Sequence, residues 1–191
     1  MKNSSFTTKL KSFRGLILDV DGVWFDGRES RLVMPDGKVV IIKTRDLRDG
    51  QGLSFIRALG IKVVFATGEG EPLPSIIQKI NEIPSAKSGT WAPVEYFTGE
   101  LKKGGKVASL EAWLAKHGLM WNECAYIGDD RTDLEAMRLA ALKVAPGDAQ
   151  RIIVKIADIV LKKNGGTGAV REFAEMVLDA RGVDETTLPA A

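Results

Sequence analysis

The sequence is short of several residue types and patterns, and each shortage removes a class of protein. It holds one cysteine in 191 residues, Cys124, so no disulfide can close within the chain and the thiol suits a reducing compartment. Cys124 opens the apolar run Cys124-Ala125-Tyr126-Ile127 and reads as a buried structural thiol. Histidine is also single, His117, directly before Gly118, where it reads as a helix-end residue. With so few nitrogen and sulfur ligands, any metal must be held by oxygen. No apolar run approaches the roughly 20 residues that span a bilayer, and the first residues are polar and mixed, which points to the cytoplasm. The formal net charge is only +2 and no long basic run interleaves with aromatics, so nucleic acid is not an expected partner. Internal repeats and low-complexity segments are absent too. What is present is ordinary: 45% hydrophobic and 27% charged residues, in a length suited to one domain with a sizeable core.

The informative stretch is Leu16-Ile17-Leu18-Asp19-Val20-Asp21-Gly22-Val23. An apolar run bounded by turn residues fits a central strand of a parallel sheet, and ligands of open α/β sheets bind beyond the carboxyl ends of such strands. Residues two apart on a strand point the same way, so Asp19 and Asp21 can face one ligand. Alone, this could be a solvated Asp-Gly turn. It is not alone: the strand Ile61–Ala66 ends in Thr67-Gly68, and Cys124–Ile127 runs into Gly128-Asp129-Asp130, with Asp133 one turn on.

Strands alternate with helices along the rest of the chain. Strands are predicted at 15–20, 61–66, 94–97, 124–127, 142–145 and 159–161, with helices at 53–59, 72–80, 106–117, 149–156, from Asp133 to about Leu139, and after Gly168. The alternation implies right-handed βαβ units and a doubly wound, mostly parallel α/β sheet. Asp36-Gly37 between the apolar segments Val33-Met34 and Val39–Ile42 predicts a β-hairpin inserted after the first strand, apolar enough that something should cover it. Trp24 and Phe25 read as packing for this insertion. The expected organisation is a flexible extension over 1–13, a single domain over 14–182 with the hairpin at about 23–44, and a tail over 183–191.

Carboxylates gathered at strand ends repel one another unless a cation relieves them, and oxygen ligands of this kind fit Mg²⁺. Asp19 could then attack phosphorus to give an aspartyl-phosphate, while Asp21 protonates the leaving alcohol and later deprotonates water. Thr67 and Lys106, the latter at a helix start, could hold the phosphoryl oxygens. Lys102 or Lys103 could replace Lys106. Competing motifs fail on spacing. An EF-hand counted from Asp19 has Val23, Trp24 and Ser30 at positions five, six and twelve; the Gly99–Lys106 segment is misspaced for a Walker A loop; and Leu73 stands where a dinucleotide loop after Gly68-Glu69-Gly70 needs glycine.

The order and spacing of Asp19-Val20-Asp21-Gly22-Val23, Thr67-Gly68, a lysine near 106, and Gly128-Asp129-Asp130 with Asp133 resemble the haloacid dehalogenase (HAD) superfamily of aspartyl-phosphate phosphotransferases, over roughly Gly15 to Asp179. Asp26-Gly27, Arg48-Asp49-Gly50 and Gly165-Gly166-Thr167-Gly168-Ala169-Val170-Arg171-Glu172 are similar to its capless 3-deoxy-D-manno-octulosonate 8-phosphate phosphatase-like group. That resemblance implies a Rossmann-like core without a large cap. It also implies Mg²⁺ held by the Asp19 and Asp129 carboxylates and the Asp21 carbonyl, substrate contacts at Thr67, Gly68, Lys106 and Arg48, and supporting roles for Asp130 and Asp133. It further implies a homotetramer assembled through the hairpins, with neighbouring subunits closing each site and the glycine-rich stretch near the sugar. Glu69 stands where the group usually carries arginine. The substrate therefore stays open between 3-deoxy-D-manno-octulosonate 8-phosphate, a nonulosonate 9-phosphate and a neutral sugar phosphate, and a non-catalytic oligomerisation module is the remaining alternative.

Overall fold

A computed structural model describes residues 3–68, 70–98 and 105–189. Glu69, Lys102 and Lys103 lie outside the described residues. Helix α1 (Asn3–Ser12) leads into β1 (Gly15–Leu18), the hairpin strands β2 (Ser30–Val33) and β3 (Val39–Ile42), α2 (Leu47–Ala58), β4 (Lys62–Ala66), α3 (Leu73–Asn81), α4 (Pro84–Lys87) and β5 (Glu95–Phe97). The second half runs α5 (Gly105–His117), β6 (Cys124–Ile127), α6 (Leu134–Leu139), β7 (Leu142–Ala145), α7 (Arg151–Val154), β8 (Ile159–Val160) and α8 (Ala169–Arg181).

Six strands form one parallel sheet in the order β5-β4-β1-β6-β7-β8. Because β1 is central, both of its faces must be apolar, and all four of its residues are buried. Side chains alternate across the sheet. Leu16 and Leu18 join Val63 and Phe65 under α1, α2, α3 and α8, through Leu10, Leu53, Ile56, Ile77 and Phe173. Ile17 joins Val64 and Tyr126 under α5, α6 and α7, through Trp113, Leu114, Met137 and Ile153. From β1 the chain builds outward through β4 and β5, then crosses back to β6 on the other side. That reversal opens a crevice at the carboxyl ends of β1 and β6.

Several expectations need correction. Residues 1–13 were expected to be a flexible extension, yet α1 occupies most of them. Leu10 and Phe13 are buried, and the Arg181 guanidinium donates to the Phe13 carbonyl at 2.7 Å, which fastens α1 to the end of α8. A polar sequence hid two apolar anchors. The tail is not wholly loose either: Asp184 caps a turn at Glu185–Thr187, and Arg171 reaches Glu185 at 2.8 Å. Helix α2 starts six residues earlier than its apolar pattern suggested, because the Asp46 side chain accepts the Arg48 amide as an N-cap. The hairpin forms where expected, but among the described residues nothing covers it. Leu32, Val33, Met34 and Val39–Ile42 are all exposed, Val33 by 67%. Trp24 and Phe25 are core residues: the Trp24 ring packs edge-on to Phe65 at 5.2 Å.

Candidate active site

Strand order alone brings the acidic ends together. With β1 between β4 and β6, Asp19, Thr67 and Asp129 each follow a strand at the same edge of the sheet. The Asp19 amide still donates to the Ile127 carbonyl, so β1 holds its register with β6 up to the carboxylate. The chain then folds back at once: the amides of Val23, Trp24 and Phe25 all donate to the Val20 carbonyl, which buries their side chains and turns Asp21 outward. Gly22 makes this possible twice over. Its φ is +85°, and a Cβ there would lie 2.1 Å from Asp129 Oδ2. Gly165 serves the same loop from the other side, because a Cβ on it would lie 1.9 Å from the Gly22 carbonyl oxygen. The glycine-rich stretch of this chain therefore packs backbone to backbone against the loop that carries the aspartates.

Lys106, in the first turn of α5, places its ammonium between two carboxylates, 2.7 Å from Asp19 Oδ1 and 2.6 Å from Asp133 Oδ1. Asp133 is fully buried and saturated with donors. Its Oδ1 also accepts the Tyr126 hydroxyl at 2.8 Å, and its Oδ2 accepts the amides of Asp129 and Asp130 at 3.1 and 3.2 Å. Asp133 thus positions Lys106 and the Asp129 loop together. Asp130 caps the turn at Arg131–Asp133 through the Arg131 amide. Asp21 is held by Lys43, at the end of β3, whose ammonium donates to both carboxylate oxygens at 2.8 and 3.0 Å.

The electrostatics follow from burial. Burial and the neighbouring Asp133 push Asp19 well above the usual carboxylate range, against the opposing pull of Lys106. Burial, with Asp133 and Asp130 nearby, pushes Asp129 up to about 7. Burial lowers the Lys106 ammonium, but Asp19 and Asp133 outweigh it and the net direction is up. Asp129 Oδ1 is buried with no hydrogen-bond partner among the described residues, a costly state for a carboxylate oxygen. Carboxylate oxygens of Asp19, Asp129 and Asp133 all lie within 4.8 Å of one another. An orphaned oxygen inside an all-oxygen donor set fits a hard divalent cation such as Mg²⁺.

A cleft of about 470 Å³ opens over this cluster, lined by Asp19, Asp21, Thr67, Gly68, Gly105, Lys106, Asp130 and Thr132. The residues named from sequence thus converge, with one exception. Arg48 is on the surface, where its guanidinium pairs with Asp46, and it lines a separate cavity with Lys163, Gly168 and Arg171. Its neighbour Asp49 is the buried member of that motif and accepts the Gly168 and Arg171 amides at the start of α8. Sequence reasoning missed Lys43, Tyr126 and Thr132. Tyr126 carried a usable signal, a phenol on a buried strand that needs an acceptor; Lys43 carried none, being 22 residues from its partner. Two expectations elsewhere resolve simply. Cys124 is buried and its thiol is pushed up to about 12, chiefly by burial. His117 pairs its Nε2 with Glu95 on β5 rather than capping its own helix.

Residues 78–173 match the family described as haloacid dehalogenase-like hydrolases. A curated relative, 3-deoxy-D-manno-octulosonate 8-phosphate phosphatase of Haemophilus influenzae, is 30% identical over 174 residues, covering 91% of this chain and 87% of its own length. The cobalt-bound deoxy-D-mannose-octulosonate 8-phosphate phosphatase structure from the same organism superposes with a TM-score of 0.74 at 31% identity, covering 91% of this chain and 92% of that one. The Moraxella catarrhalis 3-deoxy-D-manno-octulosonate 8-phosphate phosphatase, solved with magnesium, phosphate and KDO, superposes with a TM-score of 0.75 at 27% identity, covering 94% of both chains.

Proposed function

The chain belongs to the haloacid dehalogenase-like hydrolase family, and from that premise we propose that it is a Mg²⁺-dependent phosphatase of an acidic sugar phosphate, 3-deoxy-D-manno-octulosonate 8-phosphate or a close analogue. The observation that carries this reading is the single cluster of Asp19, Lys106, Asp129 and Asp133 under a cleft that Asp21 and Thr67 also line.

Asp19 and Asp129 would hold Mg²⁺ through their carboxylates, with the Asp21 carbonyl. Bound there, the ion neutralises phosphate charge and lets an anionic nucleophile approach phosphorus. The Lys106 ammonium and the Thr67 side chain bind the non-bridging phosphoryl oxygens. The Asp19 carboxylate attacks phosphorus, a bond forms from its oxygen, and the bond from phosphorus to the sugar oxygen breaks. Asp21 donates its proton to that sugar oxygen, and the alcohol leaves. A water then gives a proton to Asp21 and attacks the aspartyl-phosphate, which releases phosphate and restores Asp19. Asp133 touches no reacting atom; it keeps Lys106 and the Asp129 loop in place through its four donors.

We also infer a cytoplasmic homotetramer in which hairpins from different subunits pack together and neighbours help to close each cleft. The lone free thiol supports the location. The uncovered apolar hairpin supports the assembly, since a contiguous exposed apolar surface of this kind marks an interaction site. A phosphate-release screen over acidic and neutral sugar phosphates with Mg²⁺ tests the activity. Release from the octulosonate 8-phosphate is the expected result. Failure with every ester, from a stable tetramer, would instead identify a non-catalytic assembly module.

A further inference from the structure

Beside the catalytic cleft lies a second hollow of about 230 Å³, lined by Asp21, Gly27, Arg28, Glu29 and Lys43. It shares Asp21 with the cleft, so the acid/base carboxylate is the wall between them. This placement has a chemical consequence. The leaving oxygen of the substrate must lie against Asp21 to receive its proton, so the alcohol part of the ester extends past Asp21, away from Asp19. The hollow is where that part arrives.

Its charges can be accounted for one by one. Lys43, whose side chain is only 5% exposed, is committed to Asp21 through both carboxylate oxygens. Glu29 is paired with Arg31. The Arg28 guanidinium has no ion-pair partner among the described residues, while the Arg28 amide is anchored to the Asp26 carboxylate at 3.0 Å, which fixes the base of the side chain at the rim. Asp21 and Glu29 each have a cation partner, which leaves the Arg28 guanidinium as the charge at the hollow available to an anion on the ligand. A guanidinium fork matches a carboxylate in two parallel hydrogen bonds.

Resting on the phosphatase reading above, we propose that Arg28 is the specificity-determining residue of this enzyme and binds the carboxylate of an acidic sugar in the hollow beyond Asp21. The substrate class is then a phosphate ester of a sugar acid long enough for its carboxylate to reach past the acid/base residue, and uncharged sugar phosphates are the discriminated competitors. Glu29 is paired with Arg31, which offsets its repulsion of the incoming carboxylate.

The test is a matched pair of substrates differing only in that charge: 3-deoxy-D-manno-octulosonate 8-phosphate and its neutral C1 amide, assayed for kcat and KM with the wild type, Arg28→Gln and Arg28→Lys. Loss of one charge-assisted hydrogen-bonded contact predicts that Arg28→Gln lowers the acid-to-amide ratio of kcat/KM about tenfold, mainly through KM for the acid, and that Arg28→Lys restores part of it. A ratio within twofold of wild type in Arg28→Gln overturns the assignment, as does a wild type that does not distinguish acid from amide. Both of those outcomes leave the phosphatase reading standing. A wild type that releases phosphate from neither compound overturns the phosphatase reading and this inference with it.

Discussion

At the scale of single residues, the site works by over-constraining one carboxylate and under-satisfying another. Asp133 accepts four donors, including the buried Lys106 and Tyr126, whereas Asp129 keeps an oxygen with no partner among the described residues. Removing one member of a buried ionic network strands the others, so Asp133→Ala should lose about 3–5 kcal/mol of stability by urea denaturation. A variant as stable as wild type would contradict the network. Asp129 supplies a pH prediction. Burial, with Asp133 and Asp130 nearby, pushes its carboxyl up to about 7 in the fold, against about 3.9 in an unfolded chain. Between those values the folded state holds the extra proton, so this group's contribution to stability falls as pH rises from about 4 to about 7 and is level above that. In metal-free protein the Tm of Asp129→Asn relative to wild type should therefore climb across that range, and Mg²⁺ should close the gap at its upper end. A flat difference would contradict the burial argument. Asp19 and Asp129 were legible because acidic residues at the ends of apolar runs are unusual and local. Lys43 was not legible, because its meaning lies in a contact across the hairpin. The Arg48-Asp49-Gly50 motif was legible as a motif, but its buried charge proved to be Asp49, holding the start of α8, and not Arg48.

At the scale of elements, the hairpin and the loop before it divide the work. The loop sends Trp24 and Phe25 into the core, so Trp24→Ala should cost about 3–5 kcal/mol, read from chemical denaturation. The strands that follow keep their apolar residues outside, in a two-stranded sheet that pairs with no other strand among the described residues. An isolated hairpin is marginal in water, so partners of the same kind should stabilise it. The proposed tetramer predicts that Ile41→Asp shifts the sedimentation profile from tetramer to smaller species while the Tm of the sheet domain changes little. A tetramer that persists would remove the hairpin from the assembly. Periodicity found the strands of the main sheet to within two residues, but it read the first hairpin strand about three residues late and placed the start of α2 six residues late, because an N-cap is a side-chain contact and leaves no trace in the apolar pattern. Likewise α1 was missed because Leu10 and Phe13 are too sparse to make a stripe, though both are buried against the final helix.

At the scale of the molecule, the position of the site is a consequence of strand order. Placing β1 between β4 and β6 makes three polar strand ends neighbours, and the reversal of the chain at β1 leaves the crevice above them open. Sequence alternation was enough to predict the parallel sheet, and the motifs were enough to predict which strand ends would gather around one cleft. What it could not supply was the shape of the space beyond Asp21, since Arg28, Glu29 and Lys43 come together only when the hairpin folds back. In the proposed mechanism the acidic edge of the sheet carries the reaction, and the base of the hairpin lines the space beside it. In the proposed mechanism a carboxylate oxygen of Asp19 attacks phosphorus, and every later step depends on that bond. The decisive measurement is kcat/KM for phosphate release from 3-deoxy-D-manno-octulosonate 8-phosphate with saturating Mg²⁺, wild type against Asp19→Asn. A loss of at least about a thousandfold is the predicted result, as for removal of a covalent nucleophile. Turnover by Asp19→Asn within tenfold of wild type would contradict it.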